Sequence, residues 1–147
     1  RKITLGLAAL ARGGNTPIEL GNMDARRDWG FAGDYVDGMW RMLQQDTADD
    51  YVLATGVTTT IREFFTFAGE ALGMDLDWSG EGENETATDR KTGKLVMKVN
   101  PKFYRPAEVD LLIGNPQKAV EKLGWKATVD IRELASMMAT SDFDALS

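Results

Sequence analysis

Pro17-Ile18-Glu19-Leu20-Gly21-Asn22, then Arg26-Arg27-Asp28-Trp29, then Asp34-Tyr35-Val36 on to Leu43 decide how this chain folds. The first piece is a short apolar run ending in a polar turn, which predicts a strand. In the third, Tyr35, Val36, Met39, Trp40 and Leu43 recur at helical spacing behind Asp34, which predicts a helix. Tyr35 and Trp40 fall on its apolar face and are expected in the core. A strand, a loop carrying two guanidiniums, and a helix set an α/β class with a charged loop at a strand end.

Outward from there, Ile3, Leu7, Leu10 and Ala11 predict a helix over Arg1 to Arg12 that stops at Gly13-Gly14. Tyr51-Val52-Leu53-Ala54-Thr55 reads as a buried strand bounded by Gly56. Thr60-Ile61-Arg62-Glu63 makes a capping box, and the helix it opens turns Ile61, Phe64, Phe65, Ala68 and Leu72 inward before Gly73. Gly80 to Gly93, with Glu81, Glu83, Glu85 and Asp89, reads as a mobile acidic loop. Leu95 to Val99 is a short strand delivering the chain to Phe103-Tyr104-Arg105-Pro106. Asn115-Pro116 opens a helix with Ala119, Val120 and Leu123 inward and Gly124 at its end. A last helix follows Asp130 and buries Ile131, Leu134 and Met138. The expected architecture is one α/β domain over 1–147, helices around a few short strands rather than a full doubly wound sheet.

At 147 residues the chain is long enough for one core, and 43% hydrophobic against 27% charged residues marks a folded chain, not a disordered one. No apolar run approaches the roughly 20 residues of a membrane span. A net charge of -6 without a basic stripe argues against nucleic acid as a partner. The lack of Cys and His removes disulfides, thiolate nucleophiles, zinc fingers and imidazole bases, in keeping with a cytoplasmic setting. Arg1 stands in a helix with no initiating Met or signal pattern, as expected of an internal cut.

Catalytic signatures fail their spacing tests. Gly13-Gly14, Gly30 with Gly33, and Gly80 with Gly82 lack the strand-to-helix context of a dinucleotide loop. A Tyr-Lys dyad one helical turn apart is missing, because Tyr35 meets Met39, Tyr51 meets Thr55 and Tyr104 meets Glu108. Asp34 with Asp37, or Glu63 with Glu70, read as caps and solvated faces rather than as an acid and base pair. The remaining chemistry is binding: Arg105 and Glu108 flank Pro106, whose fixed φ restrains the loop between a cation and a carboxylate. Ordinary ion pairs, Arg27 with Asp28 or Asp34 and Arg105 with Glu108, stay open as alternatives.

Arg26-Arg27-Asp28-Trp29, Ala54-Thr55-Gly56-Val57-Thr58-Thr59-Thr60, and Arg105-Pro106 through Leu112 together resemble the extended short-chain dehydrogenase/reductases, and within them the GDP-mannose 4,6-dehydratases. The likeness runs from Arg1-Lys2-Ile3-Thr4 to Leu123-Gly124-Trp125. It implies the C-terminal, substrate-binding part of such an enzyme, with the NADP-binding Rossmann half and the catalytic residues outside this chain. It implies a parent that takes GDP-mannose to GDP-4-keto-6-deoxy-mannose, works as a homodimer or homotetramer, and is inactive as this segment alone. By resemblance Arg27 and Arg105 hold the diphosphate, a planar fork suiting two phosphate oxygens at once. Glu108 accepts from the ribose hydroxyls, Leu20, Gly21 and Asn22 offer backbone and amide groups to the guanine, and Lys2 lies near the nucleotide. Phe31 stands where the family usually has a histidine. A sister reductase or epimerase, and a non-catalytic nucleotide-sugar module, are the competing readings.

Overall fold

The structure, a computed structural model, describes residues 1–105 and 113–146. Its elements in chain order are α1 (Lys2–Ala11), β1 (Ile18–Leu20), β2 (Arg26–Arg27), α2 (Ala32–Met42), β3 (Thr59–Thr60), α3 (Ile61–Ala71), β4 (Leu76–Ser79), β5 (Thr86–Asp89), β6 (Lys94–Val99), α4 (Gln117–Leu123) and α5 (Ile131–Ala145). The larger sheet has the order β1-β6-β5-β4. β1 runs parallel to β6, with Leu20 opposite Val99, and the other pairings are antiparallel. β2 and β3 form a separate antiparallel ribbon in which Arg27 faces Thr59. The α/β class expected from the sequence is the class observed.

The helices α1, α3 and α5 pack on one another and on the sheet, burying Leu7, Phe65, Ala68, Met97, Ala135 and Ala139. The entries of α3 and α5 are fixed by caps that the sequence provides. At α3, Thr60 Oγ1 accepts from Glu63 N at 3.0 Å while Glu63 Oε2 accepts from Thr60 N at 2.8 Å, the expected capping box. At α5, Asp130 accepts from Glu133 N at 2.8 Å. One buried polar contact crosses the helix layer: Thr4 Oγ1 donates to Asp142 Oδ2 at 2.7 Å.

Four expectations fail, each for a physical reason. Residues 51–55 form no ladder with any described strand: their composition favours a strand, but none of the described strands pairs with them. The acidic stretch 80–93 is ordered and contains β5, because its carboxylates have partners: Glu85 is gripped by Arg62 and Asp89 accepts from Asp75 N and Thr92 Oγ1. Trp40 is 61% exposed instead of core, along with Val36, Met39 and Leu43; only Tyr35 on that helix turns toward another aromatic, Trp125. Val120 also faces out, leaving Ala119 and Leu123 to pack against Trp125.

Candidate functional site

β1 and β6 are parallel, so both deliver their next residues to one end of the sheet, the end where α/β sheets hold ligands. Gly21 and Asn22 follow β1; Asn100 and a tight helical turn, Pro101–Phe103, follow β6. Asn100 N donates to Leu20 O at 2.8 Å and closes the two segments together. Gly21 has to be glycine, since a Cβ there would stand 2.2 Å from the carbonyl oxygen of Phe103. Between them opens a cleft of about 380 Å³ lined by Gly21, Asn22, Ile61, Lys102, Phe103 and Arg105.

The floor and rim of this cleft are held by charge. Lys2 donates through Nζ to Glu19 O at 2.6 Å and lies 4.3 Å from the centre of the Phe103 ring. The Glu19 carboxylate takes Lys98 Nζ at 2.9 Å and Asn100 Nδ2 at 2.7 Å, and these contacts, Lys98 foremost, hold its pKa below the ordinary value. On the other side Arg62 makes a two-pronged contact with Glu85, Nε at 2.5 Å and Nη2 at 2.9 Å, and reaches Asp24 through Nη1 at 2.6 Å. Arg62 N also donates to Met23 O at 3.0 Å, so α3 fixes the turn that carries Asn22. Asn22 Oδ1 is itself occupied by Asp24 N at 2.9 Å, which turns its amide donors to other partners.

Of the residues singled out in the sequence, the structure thus gathers Gly21, Asn22 and Arg105 around one cleft, with Leu20 at the strand end beneath and Lys2 behind the Phe103 ring. Arg27 is half-buried on β2, donates to Arg26 O at 2.7 Å, and is not among the described residues that line the cleft. Glu108 lies outside the described residues. Trp29 packs against Phe64 at 5.0 Å, away from the cleft. The carboxylates offered as alternative partners for Arg27 serve backbone amides: Asp28 accepts from Thr55 N, Gly56 N and Gly114 N, and Asp34 from Thr128 N and Val129 N. Lys102, Phe103 and the Arg62–Asp24 brace escaped the sequence reading. Asn100-Pro101, a cap joined to a proline, is the signal that the chain turns tightly there and presents Lys102 and Phe103 at the strand end.

Gly30 makes room for the Tyr35 hydroxyl, not for a pyrophosphate, since a Cβ there would stand 2.2 Å from that oxygen. No group of acidic side chains among the described residues is placed to hold a metal ion, and no described helix is long and apolar enough to cross a membrane.

Comparison with known proteins bears on the same residues. The family model for GDP-mannose 4,6 dehydratase matches residues 1–138. The chain is 50% identical to a GDP-mannose 4,6-dehydratase of Sinorhizobium fredii over 99% of its own length and 42% of that protein's. It is 47% identical to GDP-mannose 4,6 dehydratase 2 of Caenorhabditis elegans, covering 97% of this chain and 37% of that one. The chain therefore spans about two fifths of the length of these relatives. Among solved structures, RMD from Pseudomonas aeruginosa complexed with NADPH superposes with a TM-score of 0.75 at 18% identity, over 99% of this chain and 42% of the other, a likeness of fold.

Proposed function

The chain belongs to the GDP-mannose 4,6 dehydratase family, and we propose that it is the nucleotide-sugar-binding part of an enzyme that converts GDP-mannose to GDP-4-keto-6-deoxy-mannose and water. The observation that carries this reading is the convergence of Gly21, Asn22 and Arg105 on one cleft at the carboxyl ends of two parallel strands. In it the Arg105 guanidinium pairs with diphosphate oxygens, which it suits in charge and planarity. The Asn22 amide and the backbone of Leu20 and Gly21 meet the guanine edge. Arg27 approaches the diphosphate from β2, and Glu108 accepts from the ribose diol, penalising a ligand that lacks it.

The hydride chemistry of the reaction is assigned to NADP and to acid and base groups beyond these residues, and this chain by itself is inactive. Two features support a further part packing against it. Val36, Met39, Trp40 and Leu43 make an apolar stripe along α2 that is 56% to 82% exposed, and residues 51–55, of strand-like composition, have no ladder partner among the described residues. Such a stripe is what a soluble domain covers. The full-length relatives have the length to cover it. The assembled enzyme is proposed to be a cytoplasmic homodimer or homotetramer.

Titration of the full-length protein with GDP-mannose tests the site. Arg105→Ala, Asn22→Ala and Arg27→Ala are each compared with the native protein. Losses of about 1.5 to 3 kcal/mol are expected for the two arginines, the range for charged hydrogen bonds. A loss below about 1 kcal/mol for Arg105→Ala would remove the cleft from the nucleotide path.

A further inference from the structure

Phe103 is held more firmly than a surface phenylalanine needs to be. It is 47% exposed, yet its carbonyl is pressed against the Gly21 backbone, and its N–H donates to Asn100 O at 2.9 Å. Its ring carries the Lys2 ammonium 4.3 Å from the centroid, and that ammonium is itself tied to Glu19 O at 2.6 Å. These restraints orient one aromatic ring in the wall of the cleft shared by Asn22 and Arg105.

Resting on the reading of this cleft as a GDP-sugar site, we propose that Phe103 is the platform on which the guanine base stacks, and that Lys2 is a positioning residue that acts through the ring. A flat heterocycle gains most from an aromatic face whose orientation is fixed before binding, because little rotamer freedom is then lost on association. Asn22 stands in the same cleft with its Oδ1 already taken by Asp24 N, which directs its amide donors toward an acceptor on the base edge. Arg105, also in the lining, remains for the phosphates. The division is by chemistry: ring for base, guanidinium for diphosphate. It also gives Lys2 a different task from direct nucleotide contact, since its ammonium is engaged by a carbonyl and a ring.

The alternative is that Phe103 only shields the hydrocarbon stem of Lys2. Calorimetric titration of the full-length protein with GDP and with inorganic pyrophosphate separates the two. Phe103→Ala is expected to weaken GDP about 5- to 150-fold, the range for one base on one aromatic ring, and to leave pyrophosphate within about twofold. Phe103→Leu keeps the bulk without the ring and is expected to behave like the alanine variant, whereas Phe103→Tyr restores GDP affinity. Lys2→Met is expected to weaken GDP alone, by less than Phe103→Ala. Arg105→Ala weakens both ligands and reports on the site independently of the ring. If Phe103→Ala and Phe103→Leu keep native GDP affinity while Arg105→Ala weakens both ligands, the platform is wrong and the site stands. If no variant alters either ligand, the site reading falls and the platform with it.

Discussion

The two halves of this molecule are held together by different means. In the region of α1, α3, α5 and the four-stranded sheet, large apolar side chains such as Leu7, Phe65 and Met97 are buried from all sides. In the region of α2, residues 51–57 and α4, the buried cluster is small, with Trp125 as its one large fully buried member among the described residues. Hydrogen bonds replace burial there. Asp28 receives Thr55 N at 2.9 Å, Thr55 Oγ1 at 2.6 Å and Gly56 N at 3.0 Å. Asp34 receives Thr128 Oγ1 at 2.7 Å and Thr128 N at 2.9 Å, and Trp125 Nε1 donates to Asp34 O at 2.7 Å. Net hydrogen-bond stabilisation is modest, about 1 kcal/mol each, whereas a buried large side chain contributes several. The first region is built around a buried apolar core; the second is stitched in place with its apolar stripe outward.

The sharpest test of that contrast is a core deletion on the closed side. Phe65→Ala is expected to lower global stability by about 4 kcal/mol, as for a fully buried aromatic, measured by urea denaturation. Trp125→Ala should instead raise hydrogen exchange in α2 and α4 with a smaller change in the global midpoint, because the open side unfolds locally. Equal global costs would erase the distinction. Next in size is Arg62→Met, which leaves the Glu85 carboxylate, 3% exposed, without its guanidinium. The expected loss is about 3 kcal/mol, the low end for breaking a buried pair, since Arg62 still reaches solvent. Because Arg62 also braces the Asn22 turn, GDP affinity should fall in parallel; stability lost with unchanged affinity would detach the brace from the cleft.

The helices of the closed region were legible, whereas β4 and β5 of its sheet were not anticipated. Helical spacing, with caps at Thr60 and Asp130, gave α1 and α3 nearly to the residue and the start of α5, because there local propensity and burial agree. The open region misled for a stated reason: Trp40 and Val52 carry a core pattern, and a pattern cannot say whether its partner surface lies in the same chain. The acidic stretch misled in the opposite sense, since Glu85 and Asp89 look solvated until Arg62 and the Asp75 and Thr92 donors are placed beside them. In the cleft, Gly21, Asn22 and Arg105 had been singled out through family motifs, and the structure places them in one lining. Phe103 had not, because its contacts with Gly21 and Lys2, residues far away in sequence, arise from the parallel β1–β6 pairing.

Acid separates the regions on a smaller scale. Burial acts to raise the pKa of Asp34, but the Thr128 hydroxyl and the N–H groups of Thr128 and Val129 outweigh it and hold the carboxyl below its ordinary value. For Asp89, too, burial acts upward and is outweighed, by Asp75 N, Thr92 and Lys91, so that its pKa is lowered. A depressed carboxyl pKa means stability that is complete above the unfolded value, near pH 4, and lost as pH falls through the folded value. Native protein should therefore weaken below about pH 4. Asp34→Asn should cost about 1 kcal/mol at neutral pH and flatten the acid limb, with faster amide exchange in α2 and not in α3. Faster exchange in α3 would mean that the stitches of the open side carry load for the closed side as well.

The smallest effect is expected at the outward stripe. Trp40 is 61% exposed and Leu43 is 82% exposed, so Trp40→Lys removes little burial within this chain and should change its stability by no more than about 0.5 kcal/mol. Its self-association, followed by sedimentation, should decrease, since a charge interrupts an apolar patch. In a full-length protein the same substitution should be costly, because a lysine ammonium would then have to be desolvated against an apolar partner surface. A loss above about 1 kcal/mol in this chain alone would show that the stripe is already packed here, and the open side would then be as closed as the other. A neutral result in both contexts would mean that nothing covers the stripe.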